Sequence, residues 1–173
     1  NGGFLVIGVF AISELLRLEI DTPISNYQFA NSALSYDSRF ETMEIFGKYD
    51  NRGNPLEIKK SNGPTYSYIM GYKKKYTIAK VENATYSQIE GLSSFGSNFN
   101  ITNNLNSSQK SQLRGLSNTL VTTFEYKPLV GATKIIDPRG NHVTYEYDEF
   151  NRLSKIKDES GKILSQNEYN YKN

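Results

Sequence analysis

The chain contains no cysteine and no tryptophan, one histidine and two methionines. Without thiols it has no disulfide framework, no thiolate nucleophile and no thiolate metal site. A single histidine, His142, excludes two-histidine metal sites and His–His acid–base pairs. Charge of one sign is also lacking: 20 basic residues stand against 18 acidic ones, a formal net charge of +2. That balance supplies no electrostatic argument for nucleic acid or an anionic membrane as a partner. The most apolar run, residues 4–12, is about half of the roughly 20 residues needed to span a bilayer. It has no basic stretch before it and no small-residue cleavage site after it, so it reads as a buried strand rather than a signal peptide. No phosphate-binding loop, zinc spacing, nucleophile elbow or EF-hand loop occurs.

What is present points to sheet. Tyrosine (13) and phenylalanine (9) dominate the large side chains, and both favour strands. Phe124, Tyr126, Asp137 and Gly140 recur as Tyr145, Tyr147, Asp158 and Gly161, four matches at one constant spacing of 21 residues. Within this stretch aromatic and aliphatic residues alternate with polar ones, and clusters containing Gly, Pro, Asp or Asn interrupt them. A fixed repeat built from alternation and punctuation predicts strands joined by turns.

Taken in order, Asn1-Gly2-Gly3-Phe4 reads as the interior of something longer. Residues 13–20 alternate and predict a strand, which Asp21-Thr22-Pro23 breaks. Residues 25–39 have no clean period and read as a loop. Strands are expected over 40–49, 56–60, 65–72 and 76–81, joined by turns in an antiparallel meander. Lys73-Lys74-Lys75 then falls at a solvated hairpin tip. Beyond Glu82 the pattern changes. Thr85-Tyr86-Ser87-Gln88 fits a capping box, Ile89 and Leu92 share a helical face, and a second start at Asn106 precedes Gln109, Leu113, Leu116 and Leu120. An antiparallel pair of short helices, separated by a polar, Asn-rich linker over 93–105, is the expectation.

Tyr147-Asp148-Glu149-Phe150-Asn151-Arg152-Leu153 resembles the Tyr-Asp-x-x-Gly-Arg-Leu core of the YD or Rhs repeat family. Tyr49-Asp50-Asn51-Arg52-Gly53-Asn54-Pro55-Leu56 is a looser copy, with Asn54-Pro55 in place of Arg-Leu. Asn151 occupies the glycine slot, and asparagine follows glycine in tolerance of left-handed backbone, so a positive φ is expected there. Gly71-Tyr72 through Thr85-Tyr86, with Tyr126-Lys127-Pro128-Leu129-Val130-Gly131, is similar to the ending of very large YD-repeat surface proteins of Bacteroidetes. The resemblance implies a mainly β chain: antiparallel, hairpin-connected YD-repeat sheet, a β-shell segment with an inserted pair of short helices. It divides the chain into N-terminal strands and loop continuing an upstream sheet (1–48), a first YD-like hairpin tract (49–84), the helix pair with its linker (85–122) and tandem YD repeats (123–173).

The residues singled out have turn or packing duties. Tyr49, Tyr126 and Tyr147 place rings on a sheet face. Asp148, and Asp50 in the looser copy, accept backbone N–H groups to nucleate the Tyr-Asp turn, with Asn151 and Gly53 in its left-handed slot, while Asp137 and Gly140 take the first and fourth positions of a turn that recurs at Asp158 and Gly161. Arg152 stacks or pairs with aspartate, and Leu153 begins the return strand facing the core. Asp137-Pro138-Arg139-Gly140 is similar to an element of the self-cleaving core of Rhs toxins, yet its recurrence at Gly161 reads as a type I turn. Glu146 and Asp148 read as charges on a solvated face, and His142 as a solvated turn residue. No catalytic, metal or cofactor site is expected. The resemblance implies a structural segment of an exported or cell-surface bacterial protein, outside the outer membrane, whose shell encloses or displays another polypeptide. Its partners are then the upstream part of the same polypeptide and proteins of the export machinery, with no nucleic acid and no membrane span. A secretion-targeting module or a carbohydrate-binding tyrosine surface is the alternative.

Overall fold

The computed structural model describes residues 3–7, 14–18, 28–30, 33–35 and 40–170, with Leu15 the one described side chain before Phe40. The chain is mainly β, with antiparallel strands joined largely as hairpins. It forms two compact units, 1–67 and 68–173, divided within one strand.

In the first unit β1 (Gly3–Ile7) pairs with β2 (Glu14–Leu18), whose alternating sequence suits a strand. The short strands β3 (Gln28–Ala30) and β4 (Ala33–Ser35) form a hairpin of their own, with Phe29 opposite Leu34. The loop expected over 25–39 is corrected there, because three-residue strands are too short for alternation to stand out from sequence noise. Strand β5 (Glu41–Tyr49) pairs with β2 and with β6 (Pro55–Lys60), and β6 pairs with the start of β7 (Thr65–Gly71). The part of the apolar run beyond Ile7 lies outside the described residues.

The second unit takes up the rest of β7 and continues through β8 (Tyr76–Glu82), α1 (Tyr86–Glu90), α2 (Ser107–Arg114), β9 (Leu120–Lys127), β10 (Gly131–Ile136), β11 (His142–Tyr147), β12 (Leu153–Lys157) and β13 (Ile163–Gln166). The strands neighbour one another in chain order from β7 to β13. Both helices begin at full capping boxes: Gln88 N–H donates to the Thr85 hydroxyl, Gln109 N–H to Asn106 Oδ1, and each glutamine side chain accepts the cap residue's N–H. These reciprocal bonds satisfy donors that a helix start leaves orphaned.

The helices lie against β7 to β9 and enclose a buried cluster of Ile69, Ile78, Ala79, Val81, Ala84, Ile89, Ile101, Leu105, Leu113 and Val121. Two of these, Ile101 and Leu105, come from the stretch read as a polar linker, and Phe95 and Phe99 pack on the same cluster. The linker is therefore part of the core. Its apolar residues sit at irregular intervals, which neither a strand nor a helix period reveals. A second correction concerns Leu120: α2 stops at Arg114, and Leu120 opens β9 as an exposed strand residue.

Strands β10 to β13 contrast with this. None of their residues is fully buried, and all four residues of β13 are exposed. The same hairpin pattern thus runs from a covered region onto a bare one.

Candidate functional site: four aspartate turns and the repeat tyrosines

Four turns share one local construction. At Asp50, Asp137, Asp148 and Asp158 the aspartate N–H donates to the carbonyl four residues on (Asn54, Asn141, Arg152, Lys162) at 2.9–3.0 Å. The aspartate carbonyl accepts from the N–H three residues on (Gly53, Gly140, Asn151, Gly161) at 3.0–3.1 Å. That third residue has positive φ in every case: 81° at Gly53, 98° at Gly140, 60° at Asn151 and 83° at Gly161. This is a type I turn followed by a left-handed residue, the three-residue hairpin connection. Asn151 fills a slot that a β-branched residue resists.

The carboxylate holds each turn together. Oδ1 accepts the N–H four residues on in all four turns, at 2.9 Å each. Oδ2 is gripped by the side chain at that same position in three of them, from Asn54 (2.9 Å), Asn141 (3.3 Å) and Arg152. Arg152 reaches Asp148 Oδ2 through both Nε and Nη2, each at 2.7 Å. In the fourth turn the Ser160 hydroxyl donates to Asp158 Oδ1 at 2.7 Å. The Arg152 side chain, through this bond first, holds the Asp148 carboxyl below the ordinary aspartate value, and Ser160 does the same for Asp158. Carboxylates committed in this way suit a turn rather than acid–base chemistry.

The 21-residue period therefore contains two turns. Asp137, Asp148 and Asp158 follow one another at intervals of 11 and 10 residues, and the Tyr-Asp turn and the Asp-Pro turn are the same device. The common pattern, Asp followed three residues later by Gly or Asn, was visible in the sequence at all four places. Sequence reasoning treated the two kinds of turn separately because Pro138 and the missing tyrosine disguise the likeness.

The tyrosines act across strands. Tyr147, the last residue of β11, donates its hydroxyl to the Ala132 carbonyl at 2.7 Å, with its ring over Gly131. A Cβ at Gly131 would stand 2.3 Å from that hydroxyl, so the ring needs a residue without a side chain beneath it. Tyr126 on β9 donates to the Thr77 carbonyl at 3.0 Å. Both tyrosines reach the second residue of the preceding strand. Tyr126 also stacks on Tyr76 at 4.9 Å and meets Tyr72 edge-on at 6.0 Å. Tyr49 ends β5 and stacks on Phe46. Burial is the first cause that raises the phenol pKa of Tyr49, Tyr126 and Tyr147 above its ordinary value. Arg152 stacks on Phe150 (5.0 Å) and Tyr169 (4.2 Å). Leu153 opens β12 half-buried, apart from the buried cluster, and its carbonyl accepts from the Tyr169 hydroxyl at 2.9 Å.

Glu146 is paired with Lys157 while Asp148 is held by Arg152. His142 is the first residue of β11, half-buried and opposite Ile136, not a solvated turn residue. It borders a cleft of about 320 Å³ together with Asp137, Asp158 and Glu159. Among the described residues no group of three or more His, Asp or Glu side chains is arranged to hold a metal ion. No helix among them is long and apolar enough to cross a membrane, a statement that leaves strand-built spans aside.

The family model described as RHS Repeat matches residues 131–163, from the start of β10 to the start of β13. The matched span contains the Asp137, Asp148 and Asp158 turns and Tyr147. It supports the Rhs/YD resemblance over those residues and a structural repeat module there. No curated protein matches the chain.

Proposed function

We propose that the chain is a non-enzymatic structural segment that completes or caps the β-shell of a large exported Rhs/YD-repeat protein enclosing or displaying another polypeptide. The observation that carries this reading is the bare sheet of the matched repeat. Strands β10 to β13 are held by turn hydrogen bonds and cross-strand tyrosines, with no buried core of their own. Among the described strands β13 has β12 as its one sheet neighbour, and an exposed edge is a template for further pairing. In this reading the partner is the upstream part of the same polypeptide, export-machinery proteins handle the whole, and the assembled protein of a Bacteroidetes-type bacterium stands outside the outer membrane.

The test compares the protein as its host makes it with residues 1–173 produced alone. Trypsin cleavage at Lys157 and Lys162, which flank the last turn, is expected to be at least tenfold slower in the host-made protein. Equal cleavage rates overturn the shell reading.

A further inference from the structure

At one end of the second unit's sheet three hairpin tips come together: residues 72–75 between β7 and β8, 128–130 between β9 and β10, and 148–152 between β11 and β12. Strand order puts them on the same end, since the intervening connections turn at the other. Side chains tie them to one another. Leu129 N–H donates to the Tyr76 hydroxyl at 3.2 Å, and Lys127 Nζ donates to Asn151 Oδ1 at 3.1 Å.

These tips expose what most surfaces hide. Leu129 is 93% exposed and Phe150 67% exposed, one apolar side chain on each of two adjacent tips. Leu129 does so with φ at 65°, and Tyr72, Lys73 and Lys74 follow one another at φ 50°, 58° and 62°. Left-handed backbone is unfavourable for such residues, and strain of this kind clusters at functional sites. The charge is uneven as well. The tips and their flanks carry Lys73, Lys74, Lys75, Lys127 and Arg152 against Asp148 and Glu149, leaving 15 basic and 16 acidic residues for the rest of the chain. Asp148 is already paired with Arg152, while Lys73, Lys75 and Lys127 are exposed.

We infer that this end of the sheet docks on an anionic lipid bilayer, with Leu129 and Phe150 entering the headgroup–acyl boundary and the lysines meeting the headgroups. Apolar points projecting from hairpin tips offer no groove for a partner's side chain, and a deformable bilayer takes them without a complementary pocket. The flanking lysines match its negative surface. The inference is independent of the shell reading.

Cosedimentation of the chain with vesicles tests it. Binding is expected to vesicles containing about one-third phosphatidylglycerol in phosphatidylcholine, and to weaken steeply with salt. Lys73→Gln with Lys75→Gln should lower the partition coefficient roughly 30-fold. Leu129→Asn, at a position where asparagine accepts the backbone, should lower it at least about tenfold. Ile163→Ser, an exposed apolar residue of β13 away from the tips, should leave it unchanged. Equal binding to pure phosphatidylcholine, binding to polyglutamate without binding to vesicles, or no response to Leu129→Asn overturns the inference. Leu129 is outside the buried cluster, and a melting curve matching the parent's separates loss of binding from loss of fold.

Discussion

Strands β8 and β12 are built to the same pattern, yet one is buried and the other is not. On β8, Ile78, Ala79 and Val81 are enclosed beneath the helices and the 93–105 stretch. On β12 all five residues are half-buried and none is enclosed, and on β13 Ile163 and Leu164 are 45% and 56% exposed. Repeat hairpins are thus self-consistent locally, through their aspartate turns, but gain their hydrophobic stabilisation from whatever covers them. In the second unit the helical insertion covers β7 to β9 and leaves the matched repeat bare.

The sharpest way to break this comparison is to damage the cover. Leu113 on α2 is fully buried, and Leu113→Ala should cost about 2–5 kcal/mol, measured by denaturant unfolding. Gly71→Ala comes next. A Cβ there would lie 2.2 Å from the Asn103 carbonyl oxygen and 2.7 Å from Ile78 Cγ2. The backbone must move, at about 1–3 kcal/mol, and a neutral result would refute the close seating of this stretch on β7.

Within the bare region the turns are the sensitive points. Asn151→Val should cost about 1–2 kcal/mol, and Asn151→Gly should be neutral or slightly stabilising; equal melting temperatures for the two would refute the left-handed assignment. Acid should loosen the same region. The folded-state pKa values of Asp148 and Asp158 lie below the ordinary 3.8. Their contribution is therefore present above that value and lost as pH falls through the lower folded values. Asp148→Asn should flatten this acid dependence in a pH titration of the melting temperature. The smallest effect is expected from Ile163→Ser, within about 0.5 kcal/mol, because an exposed edge residue loses little contact.

The order of strands and helices was largely legible in the sequence, the covering of one region and not the other was not, and the reasons are physical. The capping boxes at Thr85 and Asn106 are short-range hydrogen-bond patterns, and they stand where they were expected. Alternation located the strands from β5 to β8. Phe95, Phe99, Ile101 and Leu105 were missed because a segment without regular structure can bury side chains at any spacing, so no period marks them. Leu120 was assigned to a helix because its spacing from Leu113 and Leu116 suits one, but Gly115 and the β9 pairing with β8 end the helix first. Among the candidate site residues, the turn positions were readable one by one. Their common hydrogen-bond scheme was not, because it is carried by the backbone and accommodates Asn, Arg or Lys in the fifth position.

Native-state hydrogen exchange on residues 1–173 tests the central claim most directly. The account predicts that amides of Ile78, Ala79, Val81 and Val121 exchange only through near-global unfolding. Those of Lys155, Ile156 and Ser165 should exchange through local openings of much lower free energy. Equal protection of the two groups would contradict it, since the repeat strands would then be as stable bare as covered.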